Sequence, residues 1–239
     1  MKQNLAVTFV LPLLNETTSL RATVEAITSL AGEQLCEVLI VTSPRSTAES
    51  LAIAGQLQQQ RPALLRLYAQ RLPGLGGALQ EAFAEARGAH LMLMASDLET
   101  DPQAIPLFLQ RMQQGDCDIV AGSRWRAGGQ FADYGWVKLL LNRVFQACLR
   151  RLYGVRLTDM TYGYRLYRRQ SLAGIAWEEP GHAFLLECLL KPLRRGARVV
   201  EVPCRWQRRR EGLSAGSWAQ TLRYVSLALR VRFFRRGGI

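Results

Sequence analysis

Three acidic side chains, Asp97, Glu99 and Asp101, follow directly on the apolar run Leu91-Met92-Leu93-Met94. A strand that ends in carboxylates is one way an open α/β sheet offers hard oxygen ligands to a divalent cation and the phosphate it accompanies. On that reading Asp97 and Glu99 hold Mg2+ or Mn2+, which would neutralise charge growing on a departing phosphate. The competing reading makes Asp97 a turn or helix cap ahead of Thr100 and Pro102. Ala95 stands where a second close carboxylate could have been.

Asp159, in the segment RLTDMTYGYRLYRR, is the second candidate. Set among Thr158, Thr161 and Tyr162, it can serve as a base or hydroxyl anchor, or as a structural partner of Arg165. Glu187, within GHAFLLECLL, has mostly apolar neighbours and needs a partner if buried. The loop RLPGLGG, containing Gly76, precedes a helix whose free N–H groups suit an anion, although a purely structural turn reads equally well. It carries neither the Gly-Lys-Ser/Thr of a P-loop nor a GxGxxG fingerprint at the first strand. Arg208, Arg209 and Arg210, before EGLSAGS, offer forked donors to a phosphate or form a solvated charge run. His90 and His182 lack ligand spacing to any Cys or second His and read as structural.

The elements that must position these groups alternate. Residues 5–13 predict a buried strand, and Leu20, Val24 and Ile27 form the apolar face of the helix after it. A strand over 36–42 ends before Pro44, and Ser46 or Thr47 caps a helix to about Gln60. A strand over 64–68, a helix over 76–87, the strand of the acidic segment, a helix from Pro102 to about Gln114 and a strand over 118–122 complete the series. Such repetition predicts an α/β fold with a Rossmann-like, mostly parallel sheet flanked by helices. Its ligands gather beyond the carboxyl ends of the strands, where Asn15, Ser43, Gly74 to Gly77, Asp97 and Arg124 fall.

After residue 124 the pattern changes. Residues 134–153 and 218–234 mix Leu, Val and Phe with arginines in the manner of helices lying at an interface. Residues 1–123 carry 8 basic and 12 acidic groups and residues 124–239 carry 23 and 7, within a net charge of +12. The back half should therefore meet something anionic. Nucleic acid is not expected, because aromatic residues are not arrayed as stacking platforms and no binding motif is present. The five cysteines are odd in number and widely spaced, as reduced thiols would be. The brief apolar run before Asn15 argues against a cleaved signal peptide, and no 18-residue charge-free apolar stretch suggests a membrane span.

Seven segments in order, LPLLNE, GLGGALQEAFAEARG, LMLMASDLETDP, DIVAGSRW, DMTYGYRLYRR, GHAFLLE and EVPCRW with a following RxxGxS, give the chain a resemblance. Over about residues 5–217 it resembles family 2 glycosyltransferases of the dolichyl- and polyprenyl-phosphate mannose or glucose synthase kind. The resemblance implies a GT-A-like domain over 1–217, including the interface helix 134–153, and a basic amphipathic segment over 218–239. It implies an inverting enzyme that uses a nucleotide sugar and Mg2+ or Mn2+, acts on a lipid phosphate and lies on the cytoplasmic face of an anionic membrane. Pro12, Asn15, Glu16, Thr42, Ser43 and Gly76 then fall in the donor site. Asp97 and Asp159 take the catalytic positions, Asp97 and Glu99 the metal, and Arg124, Arg209 and Ser214 the acceptor phosphate. Three positions depart from the family: Thr42 and Ser43 replace paired aspartates, Ala95 replaces the first Asp of DxD, and Ala215 replaces a frequent lysine. A catalytically inactive relative that binds or scaffolds is the alternative reading.

Overall fold

The computed structural model describes residues 5–131, 135–207 and 218–233. Its sheet grows from the alternating segments. Strand β1 (Val7–Leu13) leads to helix α1 (Thr18–Ala31), β2 (Leu35–Thr42) to α2 (Ala48–Gln60), and β3 (Leu65–Ala69) to α3 (Gly74–Glu85). Strand β4 (His90–Leu93) is followed by a 3-10 turn over Pro102–Ala104 and α4 (Ile105–Gln113), then β5 (Ile119–Ser123). Leu20, Val24 and Ile27 are fully buried, which accounts for the face α1 presents to the sheet. Thr47 caps α2 by accepting the Ser50 N–H at 3.3 Å.

The remaining elements are a two-residue strand β6 (Gln130–Phe131), α5 (Trp136–Tyr153), β7 (Arg165–Arg168), α6 (Phe184–Arg194), β8 (Val199–Pro203), a two-residue strand β9 (Arg205–Trp206) and α7 (Trp218–Phe233). The main sheet has seven strands in the order β3-β2-β1-β4-β7-β5-β8. All neighbouring pairs are parallel except those made by β7, which runs antiparallel to β4 and β5. The sheet is thus mixed, with one reversed strand near its centre. That reversal brings the residues before β7 to the edge where the parallel strands end.

Apolar side chains cover both faces of the sheet, as expected for parallel strands with helices on each side. Leu227, Ala228 and Val231 of α7 are buried in the same cluster as Leu149 of α5 and Leu186, Leu189 and Leu190 of α6. At the opposite, amino end of the sheet, buried Glu37 ties three segments together. It accepts hydrogen bonds from the Thr8 hydroxyl (2.9 Å), the Arg87 N–H (2.6 Å) and the Arg66 guanidinium (3.1 Å). Burial alone would raise the Glu37 carboxyl pKa, but these donors outweigh it and hold the group below its ordinary value. All five cysteines are free thiols. No helix among the described residues is long and apolar enough to cross a membrane.

Candidate active site

The carboxyl edge of the sheet is built from loops that hydrogen-bond one another. After β1, the Glu16 carboxylate turns back and accepts the N–H groups of Leu14 (2.7 Å) and Asn15 (3.1 Å). The Ser96 hydroxyl donates to the Pro12 carbonyl at 2.6 Å and so joins the end of β1 to the acidic loop after β4. After β2, Thr42 donates to the Tyr68 carbonyl at 3.4 Å, and the Ser43 hydroxyl accepts the Arg45 N–H at 3.1 Å. Both hydroxyls are therefore engaged in holding their own turn and the neighbouring strand.

Asp97 is 6% exposed, and its Oδ1 accepts the Glu99 N–H at 2.9 Å. Leu98 between them adopts φ 62°, a left-handed conformation that a leucine enters at a cost. The loop is fastened on its far side, where Thr100 bridges Trp206 of β9 and the Gln207 N–H donates to the Glu99 carbonyl at 3.3 Å. Asp97, four residues past the end of β4, thus caps the turn, as the capping reading expects. No group of three or more His, Cys, Asp or Glu side chains suited to a metal occurs among the described residues. Two carboxylates suit an ion of the Mg2+ type, which commonly takes one or two from the protein and the rest of its oxygens from substrate phosphate and water. Asp97 offers one buried carboxylate at this edge, and Glu99 follows two residues later with its charge close enough to act on Tyr162.

Asp159 lies across the same edge, fully buried, in the segment that leads into reversed β7 six residues later. Its partner is Arg124, at the end of β5, rather than Arg165. The Arg124 Nε donates to Oδ2 at 2.7 Å, Nη2 to Oδ1 at 2.9 Å and the backbone N–H to Oδ2 at 3.2 Å. Arg165 instead points into the core, donating to the carbonyls of Met160 (2.7 Å) and Leu185 and to the Tyr167 hydroxyl. The alternative that paired Asp159 with Arg165 is therefore corrected to a pairing with Arg124. The backbone before β7 is pinned by Glu201 of β8, which accepts the Thr158 and Asp159 N–H groups at 2.7 and 2.8 Å.

Tyr162 stands between the two acidic loops. The Arg124 guanidinium lies 4.7 Å from the centre of its ring. Burial first, then the nearby Cys204, Asp159 and Glu99, hold its hydroxyl well above the usual phenol range, against the opposing effect of Arg124. Its oxygen is buried without a hydrogen-bond partner among the described residues.

The glycine loop at the start of α3 is packed rather than open. A Cβ on Gly76 would sit 1.9 Å from the Glu179 carbonyl oxygen, and the Gly76 N–H already donates to the Pro180 carbonyl at 2.8 Å. The need for glycine at 76 is met by this close approach, and the anion reading of its N–H is corrected. Glu187, read from sequence as needing a partner, ion-pairs with Lys191 at 2.6 Å and accepts the N–H groups of Glu178 and Glu179. It builds the segment against which the glycine loop rests. Arg209 and Ser214 lie outside the described residues.

The edge therefore brings together Pro12, Asn15, Glu16, Asp97 and Glu99 through the β1 and β4 loops, and Arg124 and Asp159 through direct contact. Gln146 and Glu201 escaped sequence reading, and Tyr162 enters it only as a neighbour of Asp159. Only a glutamine on the apolar side of α5 and a glutamate inside the run VVEVP hinted at inward polar work.

The chain resembles, across 98% of its length, the crystal structure of glucosyl-3-phosphoglycerate synthase from Mycobacterium tuberculosis in complex with Mg2+ and UDP, with a TM-score of 0.73, 20% identity and 82% of that chain covered. The architecture is accordingly a mixed α/β sheet of the GT-A-like class. The family described as glycosyl transferase family 2 matches residues 8–175. Glycosyltransferase AglD of Haloferax volcanii is 30% identical over 96% of this chain, which spans 39% of that protein. Undecaprenyl-phosphate mannosyltransferase of Micrococcus luteus is 30% identical over 86% of this chain and 85% of its own length. The chain belongs to glycosyl transferase family 2.

Proposed function

We propose that the protein is an inverting glycosyltransferase that moves a sugar from a nucleotide-sugar donor to a polyprenyl-phosphate-type acceptor at an anionic membrane surface. The observation that carries this reading is the sharing of one sheet edge by the Asp97–Glu99 loop and the Arg124–Asp159 pair, with Tyr162 between them. Asp97 and Glu99 would hold Mg2+ or Mn2+ against the donor diphosphate, where the ion supplies neutralisation of charge. Pro12, Asn15, Glu16, Thr42 and Ser43 would border the nucleotide. Asp159 orients the Arg124 fork, which with Arg209 and Ser214 would receive the acceptor phosphate. An oxygen of that phosphate attacks the anomeric carbon while the bond to the nucleoside diphosphate breaks, and the diphosphate leaves with the electron pair. The attacking oxygen is already anionic, so positioning contributes more than proton removal.

The membrane part of the reading is supported by two helices. On α5, Val137, Leu140, Leu141 and Val144 follow helical spacing and are about half exposed, beyond Trp136 at 77%. Leu222, Val225, Leu229 and Phe233 do the same on α7. Exposed Lys138, Arg143, Arg151 and Arg232 accompany them. Apolar area with surrounding cations suits an anionic lipid surface, in keeping with a peripheral location on the cytoplasmic face.

A second reading, a relative that binds donor or membrane without transfer, is favoured by Thr42, Ser43 and Ala95, since the two hydroxyls are engaged in local hydrogen bonds. Incubation with a panel of nucleotide sugars, Mn2+ and polyprenyl phosphate in anionic vesicles distinguishes the readings. The expected result is a labelled glycolipid that disappears with chelator and in Asp97→Ala. Absence of transfer with every pairing would leave the binding reading.

A further inference from the structure

Gln146 lies on α5, the helix with the exposed apolar stripe, yet its own side chain is 1% exposed. Both ends of its amide are engaged. Oε1 accepts the Met160 N–H at 2.8 Å, while Nε2 donates to the Thr161 hydroxyl at 2.8 Å, to Asp159 Oδ1 at 3.3 Å and to Asn142 Oδ1 at 3.1 Å. The position calls for an acceptor and a donor on one planar group, aimed at residues on either side of Asp159. Arg124 reaches the same carboxylate from β5 and Glu201 fixes its backbone from β8. Asp159 is thus held from three elements, and of these α5 alone carries an exposed apolar stripe that a membrane could cover.

We propose that Gln146 is a positioning residue for the Arg124–Asp159 pair, through which the seating of α5 is coupled to the acceptor end of the site. The proposal rests on the functional reading above for its catalytic consequence, but its structural core does not. The inner face of α5 holds Asp159 Oδ1 and the Met160 N–H in place, so a shift of the helix would turn the carboxylate and with it the guanidinium. Replacing the amide by an apolar chain leaves those groups without their partner. Replacing it by a carboxylate sets a negative charge among Asp159, Glu201 and Arg124.

The test uses the full chain carrying Gln146→Met or Gln146→Glu, each checked for folding by circular dichroism. In protein labelled with 15N-arginine, the Arg124 Nε–H signal, assigned by its loss in Arg124→Lys, should be displaced and exchange with water about tenfold faster in either variant. An unchanged signal in a folded variant overturns the proposal whatever the enzyme does. Gln146→Glu has the native size and keeps the experiment decisive if Gln146→Met does not fold. In the vesicle transfer assay, kcat should fall by roughly tenfold to a hundredfold with the donor KM unchanged, as misplacement of a reacting group produces. Gln146→Glu should regain activity toward acid pH, where protonation of the introduced carboxyl restores a donor beside Asp159, whereas Gln146→Met should not. Parallel pH profiles for the two variants would overturn the positioning role. If the wild-type protein itself transfers no sugar, the functional reading fails, and the Arg124 signal still decides this one.

Discussion

Arg124 and Asp159 meet through two parallel hydrogen bonds, Nε to Oδ2 at 2.7 Å and Nη2 to Oδ1 at 2.9 Å, with the carboxylate fully buried and the arginine side chain 9% exposed. Such a fork fixes direction as well as distance, and lysine cannot reproduce it. Asp159→Asn leaves a buried guanidinium without its counter-charge, so stability should fall by about 3 kcal/mol in urea unfolding, and transfer by at least ~100-fold. The double variant Arg124→Met with Asp159→Leu should recover much of the stability, because removing both charges removes the burial penalty, while transfer stays lost. Activity retained in the double variant would reduce the pair to a structural role.

The acidic loop predicts a graded metal response. Asp97 supplies a buried carboxylate beside Glu99, and Ala95, which is half-buried, lies two residues before it. Calorimetric titration with UDP should show binding that depends on Mn2+, is removed by chelator and weakens about tenfold or more in Asp97→Asn, ~1.4 kcal/mol. Ala95→Asp adds a carboxylate at the strand end and should tighten Mn2+-dependent binding by a similar factor. Equal binding by wild type and Asp97→Asn would remove this loop from the donor site.

Much of the edge was legible because its rules are local. Apolar runs at 5–13, 36–42 and 91–94 read as strands, which the structure places at 7–13, 35–42 and 90–93; α1 and α2 followed from periodicity and a cap at Ser46 or Thr47, and parallel strands send their carboxyl ends to one side. What was not legible depends on long-range pairing. β7 is four residues long and reversed, so nothing in RLYR announces that Asp159 comes to the same edge as Asp97. Arg165 is closer to Asp159 in sequence, but strand alternation and the carbonyls of Met160 and Leu185 draw it into the core, leaving Asp159 to an arginine 35 residues away. The glycine loop looked like an anion cradle because close backbone approach requires glycine whether the neighbour is a phosphate or, as here, the Glu179–Pro180 backbone.

The exposed stripe on α5 gives a separate prediction. Leu140→Glu with Leu141→Glu removes apolar area and adds two negative charges on the side of α5 away from Gln146. Co-sedimentation with vesicles containing anionic lipid should drop at least tenfold, ~1.4 kcal/mol, while the unfolding midpoint in solution changes little. Wild-type binding should also weaken as salt is raised, through screening of Lys138, Arg143 and Arg151. Undiminished sedimentation of the double variant would place the membrane contact elsewhere.

His90 predicts an acid limb in stability. It begins β4, is 6% exposed, and neither ring nitrogen has a hydrogen-bond partner among the described residues. Burial, and secondly the charge of Arg168, lower its pKa from 6.5 to about 4. Between those values the unfolded chain binds a proton that the folded chain refuses, so stability rises with pH across this interval. The contribution is complete above about pH 6.5, is lost progressively on descent toward pH 4 and changes no further below it. Glu37, whose folded pKa lies below its ordinary value of 4.5, contributes mainly below pH 5, so the histidine dominates the interval from 6.5 to 5. Denaturant titrations should show a loss of about 1 kcal/mol across that interval, after allowance for solvent screening. His90→Leu sacrifices no ring hydrogen bond and should flatten the limb; an acid limb of the same size in the variant would assign the loss to other groups.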